Sequence, residues 1–217
     1  MEKNKVYLIG NAHIDPVWQW RWQEGFQEIK ATFRSVLDRM NEFPNFKFTC
    51  AGSMYYEWIE QNEPKMFEEI QARVKEGRWC IAGGWYLQPD CNIPSGESFA
   101  RHGLAAQKYF LEKFGRYATV GYNVDSFGHN GGLPQILKKS GLKYYVFMRP
   151  DKYEKTIPSS LFIWKGADGT TVPTYRLSIA YCLKTIEDIK KIKDLATDEN
   201  IDEMAFYGVG NHGGGPT

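Results

Sequence analysis

VYLIGNAHIDPVWQW, residues 6–20, opens as an apolar run and then breaks into a loop that carries His13, Asp15 and Trp18. The run reads as a buried strand, because strands covered on both faces by helices are apolar throughout rather than alternating. In extended backbone, residues two apart point to the same side, so the His13 imidazole and the Asp15 carboxylate can converge on one point. Two readings of that pair fit. It can hold a metal ion, since imidazole with carboxylate suits zinc and its neighbours and Pro16 stiffens the chain just behind the second ligand. Alternatively, it caps the helix that follows.

The rest of the chain repeats this unit. Residues 24–42 set Phe26, Ile29, Phe33, Val36, Leu37 and Met40 at helical spacing and stop before Pro44. A second strand spans 46–52, Ser53 caps a helix through Trp58, and Pro64 opens another to Glu76. A third strand at 78–85 leads into a polar loop, 86–98, and a helix over 99–114. The fourth strand lies in TVGYNVDSFGHNGG, residues 119–132, followed by a short helix at 133–140 and a fifth strand at 142–150. Residues 161–177 differ: two apolar runs flank Gly166, Asp168 and Gly169, the pattern of a hairpin around a D-G turn. Thr185 with Asp188 forms a capping box for a helix to about 195, and a last strand runs over 204–217.

Strand, loop and helix recurring at roughly thirty to forty residues argue for parallel strands covered by helices, either an α/β barrel or an open sheet. Ligands in both bind at the C-terminal ends of the strands. The polar motifs stand there: His13 and Asp15, Asp90, Asp125 and His129, Arg149, Asn211 and His212. Of the four histidines, only His102 falls on a helix.

Composition removes several function classes. The 217 residues suffice for one domain or a compact pair. Lys and Arg number 27 against 26 Asp and Glu, which leaves no basic field for nucleic acid or an anionic membrane. No apolar stretch approaches the ~20 residues that cross a bilayer, and the N-terminus passes from charge directly into a strand, so a cytoplasmic protein is expected. Cys50, Cys80, Cys91 and Cys182 show no metal-finger spacing and read as reduced thiols. Aromatic residues make up 15% of the chain. Trp18, Trp20, Trp22, Trp85 and Tyr86 sit beside the polar motifs, as flat platforms for a sugar face or as ordinary core packing.

Asp125 stands at the lip of the fourth strand with glycines on either side that let a ligand approach the backbone. With His13 and Asp15 it makes a His/Asp/Asp metal site. Together, N-A-H-I-D-P-V-W and D-S-F-G-H resemble the signature pair of the glycoside hydrolase family 38 α-mannosidases. The loop GGWYLQPDCNIPSGES, residues 83–98, and the ending GNHGGGPT, residues 210–217, resemble the bacterial and cytosolic members.

That resemblance implies an irregular seven-stranded β/α barrel of the deacetylase-like kind, with residues 1–217 as the N-terminal catalytic domain of a longer enzyme. It implies one zinc ion on His13, Asp15 and Asp125, with a further histidine beyond Thr217. Asp125 matches the nucleophile, Trp18 and Phe127 the aromatic floor of the sugar subsite, and Arg149 a cationic neighbour; Asp90 matches a polar position that binds substrate or supports the residues around it. The implied activity is retaining hydrolysis of terminal α-linked mannose from glycans or mannosides, with no nucleic acid or membrane partner; homo-oligomerisation of the full-length enzyme stays open. Many members carry an Asp where this chain has Asn211-His212, so His212, Asp90 or a group beyond Thr217 must serve as acid/base. Two rivals remain. A zinc-dependent polysaccharide deacetylase should bring an H-x-x-x-H pair, which is absent, and a non-catalytic carbohydrate-binding fragment fits the expectation that residues 1–217 alone are inactive.

Overall fold

The computed structural model describes residues 4–208 and 214–216. Two compact units are present, one made of Met1–Thr49, Trp58–Cys80 and Leu177–Thr217, the other of Cys50–Glu57 and Ile81–Arg176. In chain order the elements are β1 (Val6–Ala12), α1 (Trp22–Glu42), β2 (Phe48–Ala51), α2 (Ser53–Asn62), α3 (Pro64–Lys75), β3 (Trp79–Ala82), α4 (Gly96–Phe114), β4 (Val120–Asn123), α5 (Leu133–Lys139), β5 (Tyr144–Phe147), β6 (Leu161–Lys165), β7 (Thr171–Arg176), α6 (Ile186–Glu199) and β8 (Glu203–Tyr207). They pair in two four-stranded sheets, ordered β3-β2-β1-β8 and β4-β5-β7-β6. This is the expected mixed α/β class: β1 with β8, β4 with β5, and β5 with β7 are parallel. Among the described residues, strand pairing gives these two sheets and no single seven-stranded ring.

In the first unit, α1 buries Ile29, Phe33, Val36, Leu37 and Met40, one face at the predicted spacing. The helix begins earlier than 24 because the Glu24 carboxylate accepts from the Arg21 N–H at 2.9 Å, tying off an otherwise orphaned donor. Phe33 meets Phe48 and Trp79 edge-on, at 6.4 and 5.0 Å between centroids. Truncating Phe33 to Ala would cost about 3–5 kcal/mol, the loss typical of a buried aromatic. Burial of β1 is confined to its C-terminal half: Tyr7 and Leu8 are half exposed, while Gly10, Asn11 and Ala12 are buried. The strand read as buried throughout is therefore buried only where it approaches the site. At β8 the expected strand over 204–217 is shorter, ending at Tyr207, and Asn211 and His212 lie outside the described residues.

In the second unit, α4 starts at Gly96 rather than 99, because Ser95 accepts from the Ser98 N–H and so caps the helix three residues earlier. It ends at Gly115, whose φ of 67° is the left-handed conformation that glycine adopts without a Cβ penalty. The D-G hairpin is as read: β6 and β7 are antiparallel, Gly169 has φ +87°, and Asp168 Oδ1 accepts from the Thr170 N–H at 3.0 Å. The core here is aromatic, with Trp85 packed on Phe99 and Tyr145. Cys50, Cys80, Cys91 and Cys182 are thiols outside any disulfide. No described helix is long and apolar enough to cross a membrane.

Candidate active site

Each unit presents a set of the candidate side chains at its strand ends. In the first unit, β1 delivers the chain into the loop at Ala12, and the Asn11 side-chain amide donates to Tyr181 O at 3.1 Å, fixing the strand end. His13 is buried, its ring edge-on to Tyr181 at 5.1 Å. Its Nε2 lies 3.4 Å from Asp15 Oδ1, so the two side chains converge as the spacing predicts. That separation also suits one cation: two donors each ~2.05 Å from zinc across a tetrahedral angle are about 3.3 Å apart. At the start of α1 the Arg21 N–H is met by Glu24. Among the described residues, no three or more His, Cys, Asp or Glu side chains are grouped so as to hold a metal ion.

The loop is braced from below. Trp20 Nε1 donates to Asp15 O at 2.9 Å, and its ring meets Trp18 edge-on at 5.3 Å. Gly25 in α1 lets the loop settle, since a Cβ there would fall 2.1 Å from Pro16 O. Trp18 stays 49% exposed, a face open to a ligand.

The second unit carries Asp90, Asp125, Phe127 and Arg149. Arg149 Nε donates to Asp125 Oδ1 at 2.7 Å, and its guanidinium stands 5.2 Å from the Phe127 ring centroid. Phe127 is 76% exposed, so an aromatic face and a charge-paired carboxylate lie side by side. The backbone beneath is pinned by Asn123, whose buried amide donates to Pro89 O at 2.7 Å. Asp90 closes a turn: its Oδ1 accepts from the N–H groups of Asn92 and Ile93, both at 2.8 Å. Those backbone donors, Asn92 first, hold its carboxyl below the usual carboxylate range.

His129 is not free to serve as a ligand. Its Nε2 lies 2.8 Å from Arg149 O and its Nδ1 3.2 Å from the Tyr145 hydroxyl. A carbonyl only accepts, so Nε2 carries the proton and Nδ1 accepts from Tyr145. Phe147, Tyr145 and Trp164 box the ring in at 4.8, 5.6 and 5.8 Å. Burial pushes its pKa down, opposed in part by Arg149 O and the Asp90 charge. Tyr145 and Tyr181 were not legible as site residues: a tyrosine inside an apolar run carries no motif.

Residues 3–217 match the glycosyl hydrolases family 38 N-terminal domain. The chain belongs to this family. Alpha-mannosidase G of Dictyostelium discoideum is 32% identical to it over 221 residues, which cover 99% of this chain and 20% of that protein. Alpha-mannosidase of Saccharomyces cerevisiae is 30% identical over 218 residues, 98% of this chain and 20% of that protein. An alpha-mannosidase from Enterococcus faecalis V583 has the same fold, with a TM-score of 0.83 at 22% identity over 98% of this chain and 26% of its own. This family 38 chain thus spans about a fifth of the length of the curated relatives it matches.

Proposed function

We propose that the protein carrying this family 38 domain is a cytoplasmic, zinc-dependent, retaining α-mannosidase that removes terminal α-linked mannose from glycans or mannosides. The observation that carries the reading is the Asp125–Arg149–Phe127 group: a carboxylate oriented by a guanidinium beside an exposed aromatic ring. Beside that carboxylate, Phe127 offers an aromatic face to the apolar C–H side of the sugar. Asp125 attacks the anomeric carbon as the bond to the departing oxygen breaks; an acid delivers a proton to that oxygen. Water then attacks the glycosyl ester, passes its proton to the same group, and releases mannose with its configuration retained.

In the first unit, His13 and Asp15 would hold the zinc ion. When bound, the ion would grip vicinal sugar hydroxyls and template the ring. Proton transfer falls to another group than Asp90, because a carboxylate held ionised by two backbone N–H groups is a poor acid near neutrality. His212 or a residue beyond Thr217 takes that role, and Asp90 shapes the loop that faces substrate.

The test is to incubate the full-length protein with defined mannobiosides and an aryl α-mannoside, following the first-formed anomer by NMR. α-Mannose appearing first supports the reading. No turnover of any α-mannoside, or β-mannose first, overturns it.

A further inference from the structure

We propose that His129 is a positioning residue: through the Arg149 carbonyl it fixes the backbone from which the guanidinium reaches Asp125. The inference deepens the glycosidase reading and rests on it for its kinetic arm. Its basis is a continuous chain of contacts in the second unit. The Tyr145 hydroxyl donates to His129 Nδ1 at 3.2 Å, His129 Nε2–H donates to Arg149 O at 2.8 Å, and Arg149 Nε–H donates to Asp125 Oδ1 at 2.7 Å. Tyr145 is fully buried on β5 and stacks on Phe147, their centroids 5.8 Å apart, so the chain is anchored in the sheet. His129 cannot rotate without opening its aromatic box, and a neutral imidazole with one N–H matches one carbonyl acceptor and one hydroxyl donor. Arg149 follows the end of β5, at Phe147, by two residues. A long side chain placed there needs its backbone fixed if the guanidinium is to meet Asp125 in one orientation, because catalytic geometry tolerates little displacement.

In the sequence His129 is only one of several polar residues in the strand-end loops, with no role assigned to it. Both of its ring nitrogens are engaged inside the protein. Gln can reproduce the Nε2–H donor to the carbonyl; Leu fills the space and donates nothing.

In the full-length protein, kcat and KM for an aryl α-mannoside are measured for His129→Leu, His129→Gln, Arg149→Met and the double variant His129→Leu/Arg149→Met. His129→Leu should lower kcat about 10- to 100-fold, the scale of a misplaced catalytic group, with KM changed less than about threefold. His129→Gln should regain most of the loss. In the Arg149→Met background, His129→Leu should change kcat less than about twofold, since residues acting through one another are not additive. Equal losses in both backgrounds would mean a structural role only and overturn the proposal.

A crystal structure of His129→Leu gives a readout free of activity. The Arg149–Asp125 contact should be lost or displaced there and restored in His129→Gln; its persistence in His129→Leu sinks the idea. Should the wild type turn over no α-mannoside, the glycosidase reading fails while this comparison still decides the positioning. Should His129→Leu not fold, Tyr145→Phe, which removes the donor to Nδ1, takes its place with the same expectations at smaller size.

Discussion

Arg149 Nε lies 2.7 Å from Asp125 Oδ1, joining residues 24 apart in sequence at the ends of β5 and β4. Those strands are parallel neighbours, with Asn123 opposite Phe147. Adjacent parallel strands deliver their C-terminal loops to one edge, so the pairing register itself brings the guanidinium to the carboxylate. A charge-assisted hydrogen bond of this length is about twice as strong as a neutral one.

Removing the guanidinium therefore leaves the Asp125 carboxylate without its orienting donor. Arg149→Met in the full-length protein is expected to lower kcat on an aryl α-mannoside about 10- to 100-fold, matching the roughly 1.5–3 kcal/mol of a hydrogen bond to a charged group. Arg149→Lys should recover only part of this, because a compact ammonium replaces a planar fork. A variant within twofold of wild type would remove Arg149 from the site.

Gly25 supplies a test with an unusual sign. Ala normally stabilises a helix interior over Gly by about 1 kcal/mol. Here the added Cβ would sit 2.1 Å from the Pro16 carbonyl oxygen, so the loop bearing His13 and Asp15 must shift. Gly25→Ala should destabilise the chain by about 1–3 kcal/mol in urea unfolding, the range for overpacking. Gly96→Ala, where a Cβ meets nothing within 4 Å, is the control and should be neutral or mildly stabilising. Equal effects at both positions would show that the loop does not depend on Gly25.

Much of this arrangement was legible in the sequence. Helical spacing found α1, the D-G turn found the β6–β7 hairpin, and Thr185 with Asp188 found the capping box that opens α6. These signals are local, and local geometry expresses them. Burial of β1 was misjudged because an apolar run does not say which of its residues other elements cover. The strand-end placement of Asp125 and Arg149 could be read, whereas their contact, and the engagement of both His129 nitrogens, depends on side-chain reach across strands. The start of α4 was missed because residues 96–98 read as the end of a polar loop, whereas the Ser95 cap draws them into the helix.

Trp20 braces the first unit's loop through its indole N–H on Asp15 O at 2.9 Å. Trp20→Phe keeps an aromatic ring beside Trp18 but removes the indole N–H donor along with part of the ring. If the proposed zinc site is present, the full-length protein should bind zinc about 10- to 100-fold more weakly after this change, as outer supports of metal ligands usually show. Calorimetric titration of the metal-stripped protein checks it. Unchanged affinity would mean that Asp15 is held by other contacts or takes no part in binding zinc.

Acid stability should reflect His129 and His102, both shifted down chiefly by burial. A histidine with a depressed folded pKa binds its proton more readily in the unfolded chain. Above the unfolded value near ~6.5 neither state is protonated and the group contributes no slope. As pH falls from about 6.5 towards the folded pKa, the unfolded state gains protons first, so stability declines through that window. Asp90 and Glu69 are shifted below the ordinary carboxylate range, so their stabilising contributions are lost only at more acidic pH, near and below ~4. Urea unfolding of the chain between about pH 7.5 and about pH 5.5 should therefore show a loss assigned to the histidines. His129→Gln should flatten the slope while keeping the donor to Arg149 O, and His102→Gln should flatten it further. A slope unaltered by both substitutions would place the titrating groups elsewhere.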